Sequence, residues 1–313
     1  MMHMQLVVPT ARSDEVVQML LEDETVANVA VFPGAALQPD GSVIECDVAR
    51  EGAHAVVARL RRLGVADDGS IMLNAAGTLL SRHADRAERA APGHPDDGLV
   101  WDVVEDQVRR DSYMSFAYVA FLLLAVLLAG AGRLLDQPIL IVGAMVVGPE
   151  FSPVAAICVA LARPRLDMLP RAVRTLVLGY AVAIGLAVPF WWVVHLLGHA
   201  GRRDVATGAL TSFIVQPNGW SFVIALLAGI AGTIALTTAK SGPLVGVFIS
   251  VTTVPAAGTI ALCIGAGVWH EVLPALTQLL VNLSGMILAG TLTLLVQRTF
   301  WRRVGARATQ LHR

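Results

Sequence analysis

Charge is scarce in this chain, and lysine and cysteine are scarcer. Only 15% of the 313 residues are charged, against roughly a quarter in ordinary soluble domains. Lys240 is the only lysine among 23 cationic residues, a bias that carries no function by itself. The shortage of charge is uneven. Residues 1–112 have the mixture of a soluble protein, whereas 113–297 are almost wholly apolar, and mean hydropathy reaches +0.65. A net charge of −1 gives no bulk field for nucleic acid, so no nucleic-acid partner is expected. Three cysteines, Cys46, Cys158 and Cys263, are too few for a disulfide framework. No Cys-x-x-Cys, Gly-x-Gly-x-x-Gly or Walker A sequence occurs. Lys240-Ser241 matches only the end of a P-loop, without the glycines before it. No cofactor is expected. The start, MMHMQLVVPT, lacks the basic region and apolar core of a signal peptide, so the leading domain is expected in the cytoplasm.

That domain, residues 1–80, alternates short apolar runs with helical ones. Strands are expected at Gln5–Pro9, Asn28–Pro33, Ser42–Ala49 and Gly69–Ala75. A helix over Ser13–Glu24 places Val16, Val17, Leu20 and Leu21 on one stripe behind a Ser13 N-cap. A second, Ala53–Leu63, buries Val56, Val57, Leu60 and Leu63 and ends in arginines that complement the helix dipole. The order βαββαβ is the ferredoxin-like split pattern. Such a domain caps, oligomerises or binds a small-molecule regulator; the fold does not choose. Residues 81–112 read as a linker. Its charged first part and breaker-rich Ala91-Pro-Gly-His-Pro-Asp-Asp-Gly98 lead into an amphipathic helix, Leu99–Asp111, expected at the membrane surface.

Six membrane spans are expected, at 113–134, 138–161, 172–197, 218–239, 243–267 and 274–297, each near the 20 residues a crossing requires. Arg109, Arg110, Arg163, Arg165, Arg171, Arg174, Lys240, Arg298, Arg302, Arg303 and Arg307 then share one face, and Arg133, Arg202 and Arg203 the other. The positive-inside rule puts the richer face, both termini and the basic tail 298–313 in the cytoplasm of an inner membrane. Trp101, Tyr113, Trp191, Trp192, Trp220, Trp269 and Trp301 fall near span ends, as interfacial belts require.

The second and fifth spans are interrupted. A shift of 105 positions superposes Pro138 on Pro243 and Cys158 on Cys263, and lays the break Gly148-Pro149-Glu150-Phe151-Ser152-Pro153 over Thr253-Val254-Pro255-Ala256-Ala257-Gly258. Three spans per half make the second copy enter from the opposite face, the inverted-repeat condition, with a site at the broken helices. Candidate pathway residues are therefore Gly148, Pro149, Glu150, Ser152, Pro153, Thr252, Thr253, Pro255 and Gly258. Proline removes a donor and frees carbonyls that lipid cannot satisfy, so the breaks belong inside the bundle. Glu150 is the sharpest of them. A carboxylate at mid-span costs about 2.5–3.5 kcal/mol or more, so it is expected neutral, paired or wet. Either it relays a proton or cation, or it sits at a re-entrant tip in water. His195 and His199 at i, i+4 with Asp204 nearby lack a further ligand of clear spacing, and no metal is expected there. Gly242-x-x-x-Gly246 permits close helix packing.

The run Ile139-LIVGAMVVGPEFSPVAAICVALARP resembles the bacterial and archaeal membrane family called domain of unknown function 389, through Gly143-Ala144-Met145, Pro149 and Pro153. The resemblance covers about residues 113–297. That family's pattern often reads Ser-Pro-Leu-Met-Gly-Pro where this chain has Gly148-Pro149-Glu150-Phe151-Ser152-Pro153, so Glu150 departs from it. The resemblance implies a membrane protein and no particular substrate. A transporter or channel for an ion or small solute is the leading expectation, with the lipid bilayer, that solute and a second copy of the chain as partners. A membrane-anchored sensor or scaffold is the alternative. An intramembrane enzyme ranks last, because no Ser/His pair, His-Glu-x-x-His or paired aspartates occur within the spans.

Overall fold

The computed structural model describes the chain except residues 76, 78, 92–100, 202–204, 206–210, 212–218, 239–252, 312 and 313. It divides into two compact units, the first built mainly on Met1–Val104 and the second beginning at Glu105.

In the first unit β1 (Met2–Pro9), α1 (Ser13–Leu21), β2 (Val26–Leu37), β3 (Asp40–Val48), α2 (Arg50–Arg62) and β4 (Ser70–Ala75) follow in order, with a single turn, α3 (Val65–Asp68), before β4. The sheet order is β2-β3-β1-β4 and every neighbour is antiparallel, the split arrangement expected from βαββαβ. Alternation along β1 sends Met2, Met4, Leu6 and Val8 into a core with Val16, Leu20, Ile44, Val56 and Leu60. The other face carries His3, Gln5, Glu45 and Asp47, with His3 Nδ1 3.0 Å from Asp47 Oδ1 and Gln5 Nε2 donating to Glu45 Oε1 at 3.1 Å. Ser13 does not cap α1. It is the first helical residue, and its hydroxyl donates to Ser42 Oγ at 3.0 Å.

The linker reading fails for residues 82–90. These form α4 (Arg82–Ala90), whose N–H at Ala84 is capped by Ser81 Oγ and which buries Ala84 and Ala87. It packs on β2. Two small alanines one turn apart suffice for close packing, although the rest of the segment is charged.

Cys46 lies in the core, and burial, helped by Asp47, pushes its thiol up to about 12. An unfolded thiol releases its proton near 9. The unfolded state thus holds fewer protons between those values, and stability must fall as pH rises through that window. Thiol labelling of Cys46 in the full chain, read by peptide mass spectrometry, should therefore be slow near pH 8 and should accelerate above pH 9 by more than thiolate chemistry alone explains.

The second unit is helical. After α5 (Trp101–Asp111) come α6 (Phe116–Leu134), α7 (Pro138–Val147), α8 (Phe151–Ala162), α9 (Leu169–Leu196), α10 (Gly219–Thr237), α11 (Val254–Ala266) and α12 (Val272–Leu311). On α5, Glu105 holds both Arg163 and Arg165 of the turn after α8. Among the described residues four stretches are long and apolar enough to cross a membrane: Phe116–Leu134, Leu169–Leu196, Gly219–Thr237 and Trp269–Phe300. The pair α7–α8, bent by 57°, makes up to five. They display Phe121, Leu124, Val177, Leu186, Leu227, Leu280 and Leu288 outward, a surface far too apolar for water and suited to lipid. This is a membrane protein. Six spans are not all visible: the fifth, expected over 243–267, is described only as the thirteen-residue α11, its first part lying outside the described residues. The last helix does not stop at 297 but runs on through the basic tail to Leu311.

Candidate functional site

The first break forms as its chemistry dictates. Pro149 disfavours helical geometry at the residue before it, and Gly148 is extended (φ −69°, ψ 128°) as the cap of α7. Glu150 becomes the N-cap of α8, and Pro153 falls in that helix's first turn, where a missing N–H costs nothing. At the second break Thr253 is the N-cap of α11 and Pro255 sits in its first turn. Gly267, in the left-handed region (φ 71°), ends α11 with its N–H on Ile264 O and that of Val268 on Cys263 O.

These two N-terminal ends meet. Thr253 Oγ1 donates to Glu150 Oε1 at 3.3 Å. Glu150 is completely buried, which rules out the re-entrant tip exposed to water. Its second oxygen folds back over Gly148: a Cβ at that glycine would stand 2.3 Å from Glu150 Oε2 and 2.9 Å from Val254 Cγ2. Two hydroxyls that sequence reasoning missed complete the group. Tyr118 of α6 and Tyr180 of α9 are both 5% exposed. Each lies within the electrostatic reach of Glu150, and Tyr180 also lies beside Thr253. A tyrosine inside an apolar span was the available signal.

The remaining candidates have other places. Pro149 and Ser152 are half-buried at the bend, and Ser152 N–H donates to Pro149 O at 3.3 Å. Thr252 lies outside the described residues. Gly258 is not turned to the carboxylate but pressed on α6: a Cβ there would meet Ala129 Cβ at 2.6 Å, Gly130 N at 2.7 Å and Val126 O at 2.8 Å. Gly265, two turns on, lies as close to Trp191 and Trp192 of α9. So α11, buried at every residue but Ile264, is lodged against helices of the preceding half. Conversely α8 is fixed to α12. Cys158 Sγ lies 3.6 Å from Ile287 O, Gly290 abuts Cys158, and Arg298 Nη1 donates to Ala162 O at 2.8 Å.

A second buried polar group closes the far end of α6. Arg133, 1% exposed, donates to Thr211 Oγ1 at 2.9 Å and pairs with Glu271 Oε2 at 3.2 Å, while Thr211 donates from its N–H and its hydroxyl to Asp136 Oδ1. The sequence puts Arg133 at the end of the first expected span, on the arginine-poor face, and gives it no partner. His195 Nδ1 is 2.5 Å from Ala200 O, and Asp204 lies outside the described residues. Among the described residues no three His, Cys, Asp or Glu side chains cluster as metal ligands.

The comparisons with known proteins agree with the run that carries the break. The chain is 27% identical over 168 residues to an uncharacterized protein of Methanocaldococcus jannaschii, covering 54% of this chain and 50% of that one. It thus spans about half the length of that curated relative. No solved structure matches. Residues 145–288, from the last residue of Gly143-Ala144-Met145 to the middle of α12, match the family described as "Domain of unknown function (DUF389)", and the resemblance read from the sequence is shown.

Proposed function

We propose that the chain is an integral membrane transporter or channel for an ion or small solute, with its pathway at the meeting point of α8 and α11. The observation that carries this reading is the convergence of two helix N-termini, those of α8 and α11, on a completely buried carboxylate. A pure anchor has no use for interrupted helices, whereas transport sites are built from them. Element spacing supports six spans in two inverted halves: Phe116 and Gly219, Phe151 and Val254, and Leu169 and Val272, the first residues of corresponding helices, are each 103 positions apart, as are Glu150 and Thr253. In this reading the protein lies in the inner membrane with both termini cytoplasmic, as the arginine distribution favours, and works as a homo-oligomer.

A membrane-anchored sensor is the second reading. A pocket of about 470 Å³ among α1, β2 and α4, lined by Leu20, Val26, Asn28, His83 and Arg86, favours it. The same pocket would serve a transporter as a regulatory site. Flux into proteoliposomes separates the two. Wild-type protein should move a solute, and Glu150→Gln should lose the response of that flux to pH. A folded preparation that moves nothing leaves the sensor, and ligand screening on the full chain would follow.

A further inference from the structure

The groups gathered around Glu150 specify the sign of what the site holds. The N-termini of α8 and α11 both arrive there, twelve- and thirteen-residue helices whose dipoles favour negative charge at that end. Three hydroxyls surround the same point: Thr253, which donates to the carboxylate, Tyr180 beside it, and Tyr118. The Tyr118 hydroxyl is buried and has no hydrogen-bond partner among the described residues, so one hydroxyl within the electrostatic reach of Glu150 is unused. A cation site would instead gather carbonyls and carboxylates. This surplus of donors suits an anion, and the anion now in place is the protein's own carboxylate, folded back over Gly148.

We infer that the site takes a small, singly charged anion together with one proton, the anion replacing the charge of Glu150 when its carboxyl is protonated. The inference rests on the transport reading and gives that site its substrate class. A carboxylate and a free anion cannot share the two helix ends, because like charges a few ångströms apart in a dry site repel strongly. Once Glu150 takes a proton, the helix ends and hydroxyls are released to a substrate of equal charge. The site then carries one negative charge in either state, and one anion with one proton crosses without net charge. The titratable groups facing Glu150 among the described residues are Tyr118 from α6 and Tyr180 from α9; Thr253 supplies the hydroxyl from α11. One replaced carboxylate limits the substrate to one charge and a few atoms, the size of chloride, nitrate or formate.

The test uses the full chain in proteoliposomes, with labelled chloride, nitrate, formate and sodium and a pH-sensitive dye inside. An inward proton gradient should drive uptake of at least one of the three anions and acidify the lumen. Clamping the membrane potential should leave the rate unchanged. Glu150→Gln, which resembles the protonated acid, should lose both the acidification that accompanies anion uptake and the pH dependence of that uptake. Tyr118→Phe, which removes the unused donor at nearly constant volume, should raise the anion KM about five- to tenfold. Sodium uptake without anion uptake overturns the inference and leaves transport standing, as does acidification coupled to anion uptake at the wild-type rate in a Glu150→Gln protein that elutes and melts like wild type. Wild-type protein that is folded and moves none of the probes overturns both.

Discussion

Arg133→Leu should lower the stability of the helical unit by about 3–5 kcal/mol, the loss typical when one partner of a buried ion pair is removed. The guanidinium is enclosed at the end of α6, where it pairs with Glu271 and donates to Thr211. Without it, Glu271, which is only 13% exposed, keeps a charge with no cation beside it, and Thr211 keeps an acceptor without its donor. The double variant Arg133→Met, Glu271→Met should recover most of the loss, because replacing a buried pair by apolar side chains is often neutral. Thermal unfolding in detergent, arranged as a double-mutant cycle, reads both effects. A single-variant loss below about 1 kcal/mol, the range of solvent-screened pairs, would show that water reaches this end of α6.

Gly258→Leu should have the larger consequence: loss of a folded membrane unit, well beyond the roughly 1–3 kcal/mol of ordinary overpacking. The obstacle is backbone. A first side-chain carbon would already overlap Gly130 N and Val126 O, and no rotamer change on α6 can clear them. Gly258→Ala should therefore lower the melting temperature measurably. Gly143→Ala is the control. It lies in the Gly-Ala-Met run that carries the family resemblance, yet a Cβ there meets nothing within 4 Å, and a small change in stability is expected. If Gly258→Leu expresses and melts like wild type, α11 does not pack on α6 as described.

What the sequence disclosed follows from how local each signal is. The soluble domain was legible because alternation in β1 and the stripes of α1 and α2 are set within a few residues. The break at Gly148-Pro149 was legible because proline acts on its own neighbourhood, whereas the stretch just before Thr253 lies outside the described residues. Residues 82–90 were misjudged as linker because charge dominates their composition, and only the burial of Ala84 and Ala87 reveals a packed helix. The buried polar pairs were hidden by distance: Thr253 lies 103 positions from Glu150, and Glu271 lies 138 positions from Arg133. Tyr118 and Tyr180 matter only once α6 and α9 are known to flank α11. Paired prolines and cysteines in the sequence give a shift of 105, whereas the starts of α6 and α10, α8 and α11, and α9 and α12 are each 103 apart. Prolines mark turns, but packing decides where the following helix begins.

The packing of α8 against α12, and of α11 against α6 and α9, governs the order in which the molecule can be made. When the ribosome has finished α9, α8 has been synthesised without α12, the helix that holds Cys158 and Ala162. Glu150 has been synthesised without Thr253. Helices α6 to α9 of such a nascent chain carry a carboxylate and a cleft, both waiting for a segment about one hundred residues behind. Early insertion must therefore be provisional. α7–α8 stays shallow, or is shielded by the insertion machinery, until α11 enters the cleft against α6 and α9. Two separately synthesised halves should mature only when both are present in one membrane, and a stall in translation before residue 254 should leave a protease-sensitive stump.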